Sequence, residues 1–262
     1  MVAGQESVAP GCTDAPLFLQ SNEGYDQMIC CRNAMMMACE EMRTHLRNLD
    51  GDEAQIVLRQ PDANAEQELL MSDDQRPVSR FPIPERLDDL PQDIRDRIEK
   101  VAEKTGFIPN VFLALAHRPD EFRAFFAYHD ALMERPSNLS KAEKEMIVVA
   151  TSAANDCLYC VVAHGAILRI RSKNPRLATQ IAANYRRAEI TPRQRAMLDY
   201  ALKVALDSAR IDESDWQPLY DHGFTQEDIW EIGAIAAFFA MSNRLANMSA
   251  LRPNDEFYAL GQ

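Results

Sequence analysis

Helix starts recur along this chain, and they restrict what it can fold into. Ser140-Lys-Ala-Glu143 is a capping box ahead of an apolar run. Asn174 followed by Pro175 has the cap-then-proline order. Thr191-Pro-Arg-Gln194 joins an N-cap, a proline at the first helical position and a capping glutamine. Thr225-Gln-Glu-Asp228 resembles another cap, ahead of Ile229, Ile232, Ile235 and Phe239, which are spaced for one helical face. Upstream, Gln92 to Lys104 alternates charge around Ile94, Ile98 and Val101, and Gly106 stops it. Ile108-Pro109-Asn110 makes a turn before the short apolar stretch Val111 to Ala116, and Glu121 to Met133 is aromatic-rich. No convincing period-two run interrupts this region. The one Asp-Gly pair, Asp50-Gly51, lacks clear strands on both sides. The pattern predicts an all-α fold of about seven or eight helices.

Composition divides the chain near residue 70. Residues 1–70 hold twelve acidic residues, four arginines and no lysine, and so carry −8 of the net charge of −12. They also hold Cys12, Cys30, Cys31 and Cys39, and a stretch, 28–48, that could form one helix with Met28, Cys31, Met35, Met42 and Leu46 partly on one face. Met71 opens a polar stretch that leads to Phe81-Pro82-Ile83-Pro84, which reads like the beginning of a protein. Residues 71–262 are therefore expected to form the helical domain. Residues 1–70 are an extension of uncertain order, either a helical segment that packs on the domain or a partner, or sequence upstream of the functional start.

Several function classes drop out. An acidic chain with no Lys/Arg stripe repels phosphate backbones, so nucleic acid is not expected as a partner. The first residues lack the basic start and apolar run of a signal peptide, and Met146 to Ala154 is too short for a membrane span. A cytoplasmic protein with no membrane partner is expected. Six cysteines are too sparse for a disulfide-stapled scaffold. No phosphate-cradling glycine loop or dinucleotide motif is present, so no organic cofactor is expected.

The chemistry gathers between Glu145 and His164. Asn155 and Asp156 are both good N-cap residues, which puts Cys157 in the first turn of a helix and Cys160 one turn along. His164, four residues on, stacks on the same face. Two cysteines three apart can reach a disulfide. First-turn N–H groups and the helix dipole favour a thiolate there, and His164 can carry a proton for a thiol on the preceding turn. Glu145 lies in the helix before. An antiparallel or crossed pairing of the two helices could bring it beside the thiols as a proton acceptor or relay. Two other readings stay open at this point, a purely structural cysteine pair and a zinc site of Cys157, Cys160, His164 and Glu145. His117 and His129 read as structural or surface residues, and Tyr159 as pointing to a pocket wall or interface.

The run from Glu145 to His164 resembles the alkylhydroperoxidase AhpD / carboxymuconolactone decarboxylase superfamily. Residues 81 to about 250 are similar to its peroxidase-related branch. Phe107-Ile-Pro-Asn-Val-Phe112, Leu115-Ala-His117-Arg-Pro119, Thr151-Ser-Ala-Ala-Asn155 and Phe239-Ala-Met-Ser-Asn-Arg244 carry the likeness. The resemblance implies an AhpD-like helical domain and a redox site of Glu145, Cys157, Cys160 and His164. It makes Cys160 the peroxidatic cysteine, Cys157 the resolving one, and Glu145 with His164 the proton relay. It implies a peroxide or small disulfide as substrate, an external dithiol as reductant, and a homo-oligomer with sites near subunit contacts. The helix from Phe122 and the segment Trp230 to Phe239 are candidates for those contacts, while Asn243 and Arg244 read as holding a helix end or lining an interface. Tyr159 stands where the family's best-studied peroxidases carry a second histidine. That departure weakens the relay but leaves thiol–disulfide exchange, or a non-catalytic redox sensor, as alternatives. The dithiol argues against a lactone decarboxylase.

Overall fold

A computed structural model describes residues 77–262, which lie within one compact unit. The expected 28–48 helix and the four early cysteines fall outside the described residues. Among those described every regular element is helical: α1 Gln92–Thr105, α2 Asn110–Ala116, α3 Pro119–Met133, α4 Lys141–Ala154, α5 Leu158–Ser172, α6 Leu177–Asn184, α7 Pro192–Asp207, α8 Gln217–Asp221, α9 Gln226–Met248 and α10 Glu256–Ala259. Short 3₁₀ turns join several of them.

The capping signals act as written at three of the four starts. Ser140, Thr191 and Thr225 each accept the N–H of the residue three further on, and Glu143, Gln194 and Asp228 each reach back to close the box. Gly106 ends α1 in the left-handed region, at φ 86°, and its N–H donates to the Ala102 carbonyl at 2.8 Å. Glycine takes that conformation without a Cβ penalty. Asn174 departs from expectation. Its side chain accepts the Arg176 N–H at 3.0 Å, but Pro175 and Arg176 form a turn and α6 begins at Leu177.

α4 is the axis of the domain. Every residue from Glu143 to Ser152 is buried, and the helix is enclosed by α5, α6, α7 and α9. Ile147, Val148 and Val149 are β-branched and weak helix formers, so packing around them, more than propensity, holds this segment helical. A charge travels with that burial. The Lys144 ammonium donates to the Leu132 carbonyl at 2.8 Å, the Arg135 carbonyl at 2.8 Å and Glu231 of α9 at 2.6 Å. All three of its protons are used.

A second core joins α1, α2 and α3 through Ile94, Ile98, Phe112, Phe122 and Phe126. Phe122 and Phe126 therefore face inward, and the exposed aromatics of the two segments named as contact candidates are Tyr128 and Trp230. A third cluster lies around the two cysteines and draws on residues 249–262. That strap is stitched down along its length. Arg80 N–H donates to Ser249 O and Arg252 N–H to Val78 O. The Asn254 side chain accepts from the Asn110 N–H and donates to Ile108 O, while Asn110 donates to Arg252 O. Arg169 of α5 donates to the carbonyls of Phe257 and Leu260. A Cβ on Gly261 (φ 74°) would lie 2.9 Å from Arg169 Cβ, so the strap closes onto α5 only with glycine there.

Candidate active site

α4 and α5 form an antiparallel hairpin around a three-residue corner. At the corner Cys157 N–H donates to Ser152 O at 2.9 Å. Seven residues further along each helix, His164 Nδ1 meets Glu145 Oε2 at 2.8 Å. The pairing that the sequence could only offer as one possibility is thus the one the fold adopts. Both side chains are mostly enclosed, and the edge of the His164 ring lies on Phe239, with centroids 4.8 Å apart. With Nδ1–H directed at the carboxylate, Nε2 is the nitrogen left to exchange a proton elsewhere.

The corner differs from the expected one by one or two residues. Asp156 takes the left-handed conformation, φ 51°, and Cys157 is the N-cap of α5 in extended conformation. The reason is tertiary. Asn155 ends α4, and its amide donates back to Thr151 O at 3.0 Å and across to Asn243 Oδ1 at 3.2 Å, which holds the side chain towards α4 and α9. Aspartate tolerates the left-handed region better than most residues.

Cys157 and Cys160 are both free thiols and both buried. The hydrogen bond from the Cys160 thiol pulls the Cys157 pKa down to about 7, helped by the Cys160 backbone N–H and the Asn243 side chain. The same bond, with burial, pushes the Cys160 thiol well up. The two thiols therefore titrate as a coupled pair, with Cys157 the one that ionises first. Cys160 lines a cleft of about 1480 Å³ together with Glu145, His164 and Tyr159, whereas Cys157 is not among the residues that line it.

Asn243 does more than hold a helix end or line an interface. It is fully buried in α9 and donates to Ser152 Oγ at 2.9 Å. Its side chain favours the thiolate form of both cysteines, and Ser242 does so for Cys160. The signal available in sequence was a Ser-Asn pair inside the otherwise apolar run of α9. His129 also joins the cleft wall, contrary to a purely structural or surface reading. Its Nδ1 lies 3.1 Å from Asp130 and burial lowers its pKa. His117 lines the cleft as well, at an exposed position with its Nδ1 2.7 Å from Ala114 O. Tyr159 forms part of the wall. Its hydroxyl accepts the Val111 N–H at 3.1 Å, which ties α5 to the start of α2, and burial raises its pKa. Among the described residues no three His, Cys, Asp or Glu side chains converge as metal ligands, so the zinc alternative has no geometric support.

The fold and this site define an all-α protein with a buried dithiol beside a carboxylate–imidazole pair. The carboxymuconolactone decarboxylase family model matches residues 119–205. A crystal structure from Ralstonia eutropha JMP134, described as an alkylhydroperoxidase AhpD core and uncharacterized peroxidase-related protein, is 64% identical with a TM-score of 0.70, covering 71% of this chain and 97% of that one. A peroxidase-related protein from Silicibacter sp. TM1040 is 41% identical with a TM-score of 0.68 and the same coverages. The debrominase Bmp8, at 20% identity and a TM-score of 0.58 over 70% of this chain and 94% of that one, shares the fold. No curated protein matches in sequence. The chain belongs to the AhpD-like / carboxymuconolactone decarboxylase superfamily. Among the described residues no helix is long and apolar enough to cross a membrane.

Proposed function

We propose that the protein reduces organic hydroperoxides through Cys160 and Cys157. The observation that carries this reading is that Cys160 lines the cleft together with the Glu145–His164 pair, with the free thiol of Cys157 as its neighbour outside the lining. The names of the relatives from Ralstonia and Silicibacter support the same class. In the proposed cycle Cys160 gives up its proton to Cys157 or to His164, and its thiolate attacks the outer peroxide oxygen. The O–O bond breaks, the alkoxide takes a proton from the relay and leaves as an alcohol, and Cys160 becomes a sulfenic acid. Cys157 attacks that sulfur and water leaves, giving the disulfide. An external dithiol restores both thiols and is itself oxidised. We place this chemistry in a homo-oligomer, for which the exposed Trp230 and Met241 of α9 offer an apolar face.

The test is the rate of Cys157–Cys160 disulfide formation when reduced protein meets hydrogen peroxide or an organic hydroperoxide, followed by peptide mass spectrometry. A rate far above that of a free thiol is expected, with Glu145→Gln and His164→Asn each slower by about 10²- to 10⁴-fold. Cys157→Ser should leave a sulfenic acid trapped at Cys160. A wild-type rate equal to that of an ordinary thiol would falsify the peroxidase reading. The lowered Cys157 pKa favours a second reading, thiol–disulfide exchange with Cys157 as nucleophile. Capture of a small disulfide on Cys157 in the Cys160→Ser protein, without fast peroxide chemistry, would select it.

A further inference from the structure

The cleft is far larger than the reaction needs. A peroxide group is close to water in size, about 30 Å³ of liquid, against about 1480 Å³ here. Its inner wall is apolar, from Phe126, Phe239, Leu251 and Phe257. Its charges do not balance. Each carboxylate on the wall is already held: Glu121 by Arg118, Asp130 by Arg97, Glu134 by Lys141 and Glu145 by His164. The cations Lys100, Lys104 and Arg171 also line the cleft and make no ion pair among the described residues. Lys100 and Lys104 are one turn apart on α1. Lys100, Lys104, Glu134 and Arg171 all line the cleft, and Lys104 and Arg171 both bear electrostatically on Glu134. Among the described residues, three cations of a protein of net charge −12 thus line an apolar cleft without a salt bridge of their own.

The separation is also set. Cys160, His164, Ile167 and Arg171 follow one another along successive turns of α5, and all line the cleft. From Cys160 to Arg171 the helix rises roughly 16 Å, the length of an extended alkyl chain of about a dozen carbons.

We propose that the cleft binds a long-chain carboxylic acid, with its carboxylate on Lys100, Lys104 and Arg171 and its chain laid along α5, and that the substrate is the corresponding fatty-acid hydroperoxide with the peroxide about a dozen carbons from the acid. The reduction step rests on the reading above, whereas the binding step does not. The hydroperoxide becomes the hydroxy acid, the two thiols become the disulfide, and water leaves.

Two measurements on the full chain separate the claims. In the first, dodecanoate, hexanoate and methyl dodecanoate are titrated calorimetrically into reduced protein. Dodecanoate should bind at least about tenfold more tightly than either of the others, about 1.4 kcal/mol. Lys104→Ala/Arg171→Ala should remove its advantage over the ester. In the second, the rate of disulfide formation is compared for a fatty-acid hydroperoxide and its methyl ester. The acid should be faster by about tenfold, and the double substitution should bring that ratio towards one. Equal binding of acid and ester, no binding because a second copy fills the cleft, or a ratio that ignores the two cations would each overturn the proposal. If dodecanoate binds as described but no peroxide oxidises the thiols, the peroxidase reading fails and the acid site stands.

Discussion

Cys157 owes its thiolate character to a neighbour three residues away more than to its place at the helix start. The largest influence on it is the Cys160 thiol; burial opposes it, and the Cys160 backbone N–H and Asn243 add to it. A lone cysteine at this buried N-cap would be pushed the other way by desolvation. Cys160→Ala should therefore raise the Cys157 pKa from about 7 towards the ordinary thiol range. The sign follows from losing a donor to the charged form. Thiolate absorbance followed against pH reads it directly, and a midpoint that stays near 7 would assign the effect to the backbone and Asn243 instead. Asn243 has a separate structural cost. Asn243→Ala leaves Ser152 and Asn155 without their buried partner and should destabilise by about 1–3 kcal/mol, read as a shift in the urea midpoint.

Among the elements, the α4–α5 hairpin shows what was legible in sequence and what was not. The capping boxes at Ser140, Thr191 and Thr225 could be read because each is complete within four residues and needs nothing from the rest of the chain. Ser140→Ala should accordingly cost about 1 kcal/mol, measured as a lower thermal midpoint. The cap of α5 could not be read in the same way. Asn155 and Asp156 have the better local propensity, but Asn243, 88 residues away, takes the Asn155 amide for the corner of the site. Asn174 fails for a local reason, since its side chain closes a turn two residues ahead and not a helix. The Glu145–His164 contact was within reach of sequence only as one outcome of a helix pairing, and the length of the corner decided it. His129 carried no motif at all, because its place in the cleft depends on how α3 packs against α9.

Across the domain, the buried Lys144–Glu231 pair ties the central helix to α9. Its three acceptors make Lys144 tolerable inside the core, and removing one leaves a charge with nowhere to go. Glu231→Leu should cost about 3–5 kcal/mol in chemical denaturation, and Lys144→Met in the same chain should restore much of it. A double variant no more stable than Glu231→Leu alone would mean that packing, not the stranded charge, set the loss.

The strap that closes the cleft lies downstream of every helix that builds the rest of the site. During synthesis the α4–α5 corner leaves the ribosome about 100 residues ahead of Leu260, an interval of roughly 5–20 s at ordinary elongation rates. Through that interval the cleft lacks the wall made by Phe257 and Leu260. The cleft is therefore completed only as residues 249–262 dock against Arg169 and Asn110, the last step in building the site.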